Sequence, residues 1–200
     1  MGSIEKSKEK KKKEEEGEGI ENKNVLIVDY NNFINWGVLF LNAPLDDTFD
    51  LKAIYFLLKN IVENLDKEFG KFRERYLFLG VSPRLPFSQR ERLSNHVFSM
   101  RRLGFIPIVV EGSVFINQNE QRVKANLDGL IFAFLMRISR GMNSKDSLVL
   151  LSGDSDFSPT LAEIRRMGPN CFQLASEPVI SRATGKCPYY RDILQYVDRN

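Results

Sequence analysis

Five short stretches of this chain are almost wholly apolar and rich in branched side chains: NVLIVD ending at Asp29, RYLFLGV from Arg75 to Val81, FIPIVVE from Phe105 to Glu111, SLVLLSGD from Ser147 to Asp154, and the weaker NCFQLAS from Asn170 to Ser176. A half-exposed strand alternates apolar and polar residues. A continuous apolar run of this length belongs to a strand covered on both faces, as in the middle of a parallel sheet. The segments between them have helical spacing. Asp50 is placed to cap LKAIYFLLKNIVENLDKEF, and Ser88 a helix reaching about Leu103, with Gly104 as its C-cap. Leu127 to Ser139, LDGLIFAFLMRIS, is apolar nearly all round and reads as a buried helix. Ser158 to Met167 has Pro159 in its first turn and stops before Gly168, and a last short helix spans about Tyr190 to Val197. Strands alternating with helices predict an α/β fold, a three-layer sandwich around a central, mostly parallel sheet of about five strands. The polar stretch between Gly112 and Asn126 reads as a loop beside a site.

The first 24 residues are different in kind. They hold seven Lys and seven Glu with almost nothing apolar, so they cannot offset the entropy of ordering. Residues 1–24 are read as a disordered charged tail and residues 25–200 as one domain. The formal charge of +3 therefore belongs to the folded part, where arginine, suited to gripping phosphate oxygens in pairs, carries much of the excess. No apolar run approaches the roughly 20 residues of a membrane span, and the amino terminus has no apolar signal region, so an intracellular, soluble protein without membrane contact is expected. With Cys171, Cys187 and His96 as the only thiols and imidazole, a structural zinc site cannot be assembled. His96 sits in a helical pattern and is assigned a packing role.

In open parallel sheets ligands bind beyond the carboxyl ends of the strands. Asp29 ends the first strand, Asp154 and Asp156 follow the fourth, and Asp128 begins the helix that precedes the fourth, so all four converge on one edge of the sheet. Two carboxylates separated by one small residue repel each other unless a cation lies between them, and hard cations such as Mg²⁺ or Mn²⁺ take oxygen ligands. Capping of a turn by Asp154 and of a helix by Asp156 is the plainer reading of those two residues alone. Asn32 stands where it can orient Asp29 or bind a substrate oxygen. Lys124, four residues before Asp128, shares a helix face with it in this reading, as a salt bridge or as a phosphate contact beside a metal ligand.

VLIVDYNNF, the segment from Lys124 to Asp128, and VLLSGDSDFSPTLAEIRRMG together resemble the three signature blocks of the NYN domain, a branch of the PIN-like nuclease superfamily, over about Val25 to Val197. The resemblance implies a PIN-like, Rossmann-type fold and a metal-dependent ribonuclease site. Asp29, Asn32, Asp128, Asp154 and Asp156 match the family's acidic pocket by position, and Ser152 matches the serine that opens the SGD block. Two positions depart from the pattern: Tyr30 stands where the family often has a small residue, and Lys124 lies four rather than three residues before the helix aspartate.

The expected chemistry is hydrolysis of phosphodiester bonds in RNA, single-stranded RNA above all, with one or two Mg²⁺ or Mn²⁺ ions among Asp29, Asp128, Asp154 and Asp156. Arg84, Arg90, Arg122 and Lys124 are candidate phosphate contacts, and Tyr30, Phe33 and Trp36 candidate stacking surfaces, with Phe33 favoured as core. The competing reading is a module that binds RNA or a protein partner, a second copy included, without cutting. A phosphatase of the haloacid-dehalogenase kind is disfavoured, because DYNNF lacks that family's second aspartate.

Overall fold

The computed structural model describes residues 22–42, 51–117, 120–124, 126–176 and 189–198. Six strands, β1 (Val25–Asp29), β2 (Glu74–Val81), β3 (Phe105–Glu111), β6 (Ser147–Leu151), β7 (Asn170–Ala175) and β8 (Tyr190–Asp192), form one sheet in the order β3-β2-β1-β6-β7-β8. Every neighbouring pair is parallel. The sheet is thus all parallel and one strand larger than the sequence suggested. The added strand is Tyr190–Asp192, which pairs with β7 where a helix was expected; only Ile193–Tyr196 coils, as a single 3₁₀ turn.

Among the described residues five α-helices accompany the sheet: α1 (Tyr30–Phe40), α2 (Leu51–Phe69), α3 (Phe87–Ser99), α4 (Leu127–Ser139) and α5 (Ser158–Met167). Along β1 the side chains alternate between faces, as a pleated strand requires. Leu26 and Val28 join Leu77, Leu79, Val149 and Leu151 in a core covered by α1, α2 and α3. Val25 and Ile27 join Phe78, Leu148 and Leu150 on the other face, under Ile131, Leu135 and Phe134 of α4 and Leu161 and Ile164 of α5. Cover on both faces explains why the strands read as unbroken apolar runs.

Helix α1 has no counterpart in the sequence reading. YNNFINWGVLF is poor in strong helix formers, and burial of Tyr30, Phe33, Trp36 and Val38 organises it instead. Helix α3 starts at Phe87 without a side-chain cap, so Ser88 is not its cap, and it continues as a 3₁₀ turn to Leu103. Gly104 does end that turn, at φ +79°, where a side chain would be strained. Helix α4 buries one stripe rather than its whole circumference, since Leu130, Ala133 and Arg137 are exposed. The polar stretch after Gly112 is not a loop: β4 (Ser113–Asn117) and β5 (Glu120–Lys124) form an antiparallel hairpin. Lys124 therefore ends a strand and does not share a helix face with Asp128. Asp50 and Cys187 lie outside the described residues.

The folded part begins before Val25. The Lys23 backbone N–H donates to Asp146 Oδ1 (2.7 Å), the Asn24 amide donates to the Phe69 carbonyl (2.6 Å), and Asn24 Oδ1 accepts from Ser147 N–H (3.0 Å). Residues 1–21 of the charged tail lie outside the described residues. No helix among the described residues is long and apolar enough to cross a membrane.

Candidate acidic site at the switch point of the sheet

The chain leaves β1 to build β2 and β3 on one side, then returns to place β6, β7 and β8 on the other. β1 and β6 flank the point where strand order reverses, and in such sheets the crevice beyond their carboxyl ends is where ligands bind. Asp29, Ser152, Gly153 and Asp154 all lie there.

Asp29 does two things at once. It is the last residue of β1 and the N-cap of α1, its Oδ1 accepting from Asn32 N–H at 3.3 Å. Its Oδ2 accepts from the Ser152 hydroxyl at 3.0 Å across the strand pair. By alternation it shares a face with Val25 and Ile27, the face that α4 covers, and Asp128 stands in the first turn of α4. Only 6% of Asp29 is exposed. Its pKa is raised from 3.8 to about 6: burial is the main cause, the negative charges of Asp128 and Asp154 add to it, and the hydrogen bonds from Asn32 and Ser152 oppose it. Burial thus makes the Asp29 carboxyl easier to protonate than a free one, and the two neighbouring carboxylates add to the effect.

The loop after β6 is braced from several sides. Asn32 Oδ1 accepts from Gly153 N–H (2.9 Å), and Ser152 Oγ accepts from Asp154 N–H (3.2 Å). Asp154 caps the 3₁₀ turn Ser155–Phe157, its Oδ1 accepting from Asp156 N–H at 2.9 Å. Gln173 on β7 had gone unnoticed in the sequence, although one polar residue inside an apolar strand needs a reason. It is fully buried, and its amide donates to the carbonyls of Ser152 (3.0 Å) and Asp154 (2.6 Å) while its Oε1 accepts from the Ser158 hydroxyl (3.1 Å). Ser158 thus bonds sideways to β7 and does not cap α5. Ser176, just past β7 on the same edge, is buried with a hydroxyl that has no partner among the described residues.

Asp29, Asn32, Asp128, Ser152 and Asp154 are therefore gathered at one place. Asp156 is exposed, and its charge is not among those acting on Asp29. Among the described residues no three His, Cys, Asp or Glu stand close enough together to hold a metal ion between them. Arg84 is exposed in the turn after β2, at the same edge of the sheet. Arg90 is occupied structurally: its guanidinium donates to the carbonyls of Leu85 and Pro83 and pairs with Glu111 at 3.2 Å. Arg122 and Lys124 lie on β5, opposite Phe115 and Ser113.

The aromatic candidates for base stacking are core. Tyr30 and Phe33 are fully buried and Trp36 nearly so. The Tyr30 hydroxyl is hydrogen-bonded to His96 Nε2, and the two rings stack at 5.8 Å. Burial, with Arg92 nearby, pushes the His96 pKa down from 6.5 to about 4, in keeping with the packing role expected of it. Asn31 braces β2, exchanging hydrogen bonds with the Gly80 backbone at 2.7 and 3.0 Å.

No family model matches the chain, and no curated protein matches its sequence. Among solved structures the fold is similar to that of a protein of unknown function from Vibrio parahaemolyticus, 15% identical, with a TM-score of 0.58 over 90% of this chain and 98% of that one. At that identity the likeness speaks for the fold alone.

Proposed function

We propose that this protein is a metal-dependent ribonuclease of the NYN or PIN-like kind, hydrolysing phosphodiester bonds in single-stranded RNA. The observation that carries the reading is Asp29: a buried carboxylate at the switch point, pushed up to about 6 by burial and by two neighbouring aspartates. Uncompensated negative charge at that place is costly to the fold, and a cation relieves it. One or two of Asp29, Asp128 and Asp154 would hold Mg²⁺ or Mn²⁺, with water completing its shell. The donor set fits a hydrated ion bound through one or two carboxylates, the usual habit of Mg²⁺, rather than a dry cage of three. When bound, the ion lowers the pKa of water and offsets charge on the scissile phosphate. Ser152 and Asn32 keep the Asp29 carboxylate and the Gly153 backbone in register, and Arg84 is exposed at the same edge of the sheet.

The test is cleavage of a labelled single-stranded RNA with Mg²⁺ or Mn²⁺, comparing wild type with Asp154→Asn, which removes one charge at nearly constant shape. The expected result is metal-dependent cleavage that falls about 100-fold or more in the variant. Both oxygens of Asp29 already accept hydrogen bonds from the protein, which favours one alternative: a module that binds RNA without cutting it. Metal-independent RNA binding with no cleavage in either protein would decide for that alternative.

A further inference from the structure

The opposite end of the sheet holds a second charged region, of the other sign. A cavity of about 550 Å³ opens below the amino ends of β2 and β3, against α2. By strand register Arg75 lies beside Leu26, three residues before Asp29, so the cavity is roughly 10 Å of strand away from the acidic end, at about 3.3 Å per residue. Two of its cations are neutralised where they stand. Lys59 pairs with Glu63 at 3.7 Å, and Arg75 pairs with Asp66 at 2.6 Å while donating to the Leu103 carbonyl at 2.6 Å. The remaining three, Lys71, Arg73 and Arg102, also line the cavity and are exposed. Among the described residues none of their side chains has an ion pair or hydrogen bond. The Nε of Arg75 is buried and likewise without a partner.

We propose that this cavity binds the phosphate group of a nucleotide, either free or at the end of an RNA strand. Three cations without a partner among the described residues, beside a guanidinium already fixed by Asp66 and Leu103, favour a multiply charged anion. An inorganic phosphate would fill a small part of the space, whereas the volume falls in the range of roughly 300 to 1,000 Å³ usual for small-molecule sites. Val62, Phe72 and Leu103 supply an apolar wall for the rest of the ligand. The acidic end plays no part in this recognition, so the proposal stands apart from the nuclease reading.

The experiment is calorimetric titration of the full chain with adenosine monophosphate, a short 5′-phosphorylated RNA and inorganic phosphate, at low and high salt. The variant is the double substitution Arg73→Gln with Arg102→Gln, titrated in chelator. The expected result is binding of the nucleotide or the phosphorylated RNA more tightly than inorganic phosphate. That affinity should weaken with salt and fall about tenfold or more in the double variant. A preference for the mononucleotide marks a free ligand, and a preference for the RNA marks a strand end. The two arginines are exposed and have no side-chain partner among the described residues, so the double variant should melt with wild type. No binding of any probe, equal affinity in the double variant, or equal affinity for inorganic phosphate would each overturn the proposal.

Discussion

Among the described residues two aspartates are buried, and they lie at opposite ends of the same sheet. Asp146 precedes β6 and accepts two short backbone hydrogen bonds, from Lys23 and Asn143 N–H, both at 2.7 Å. It ties the entry of β1 to the turn before β6, and the fold accounts for it completely. Asp29 accepts weaker bonds, from Asn32 at 3.3 Å and Ser152 at 3.0 Å, and faces two other carboxylates. One buried acid is held by two short backbone hydrogen bonds, while the other is crowded by two further carboxylates. The difference separates a carboxylate that ties backbone segments together from one whose charge its surroundings penalise.

Substitution should break the comparison most sharply. Truncating Asp146 to Ala leaves two backbone N–H groups without an acceptor and is expected to cost about 3 kcal/mol in urea unfolding. Asp29→Asn should act in the opposite direction. A rise from 3.8 to about 6 corresponds to about 3 kcal/mol of penalty on the ionised form, so the variant is expected to gain up to about 2 kcal/mol at pH 7.5 in chelator. A loss of stability in Asp29→Asn would mean that its hydrogen bonds outweigh its repulsion.

Titration sharpens the same contrast. The folded-state pKa of Asp29 lies above its unfolded value, so its contribution is fully present below about pH 4 and is lost as pH rises through about 6. His96 runs the other way: its pKa is lowered to about 4, so stability is full above about pH 6.5 and lost as pH falls toward 4. The two windows overlap, and the Asp29 part is read as the difference between wild type and Asp29→Asn. That difference should grow by about 2 kcal/mol between pH 4 and 7. A constant difference would show that Asp29 titrates normally.

Gln173→Leu keeps the volume of the side chain but removes the two donors that hold the Ser152 and Asp154 carbonyls. It should cost about 2 kcal/mol and lower any metal-dependent activity with it. The smallest effect expected is that of the metal itself. Millimolar Mg²⁺ should raise the melting temperature of wild type by a few degrees, equivalent to about 1 kcal/mol, and leave Asp29→Asn unmoved. A shift equal in both proteins would place the ion elsewhere.

The central strands were legible because burial on both faces leaves unbroken apolar runs, and β3 matches its predicted limits at Phe105 and Glu111. The convergence of Asp29, Asp128 and Asp154 followed from strand order alone. What stayed hidden has its cause in tertiary contact. Helix α1 forms from weak helix formers because Phe33 and Trp36 have a core to enter. β8 is a strand for three residues only because β7 offers it an edge. Gln173 and Arg90 show the same limit at the level of single side chains, since a buried amide or a satisfied guanidinium looks in sequence like any other polar residue.

Gln173 also bears on how the acidic loop moves. Because one side chain from β7 holds that loop by two carbonyls two residues apart, and the Ser152 N–H in turn donates to Leu174 on the same strand at 3.0 Å, the loop cannot open without loosening the middle of the sheet. Its amide hydrogens should exchange with solvent on the slow timescale of the core strands rather than on that of a surface turn. A ligand arriving at Asp29 and Asp154 therefore meets a shape set in advance, with little left to order on binding.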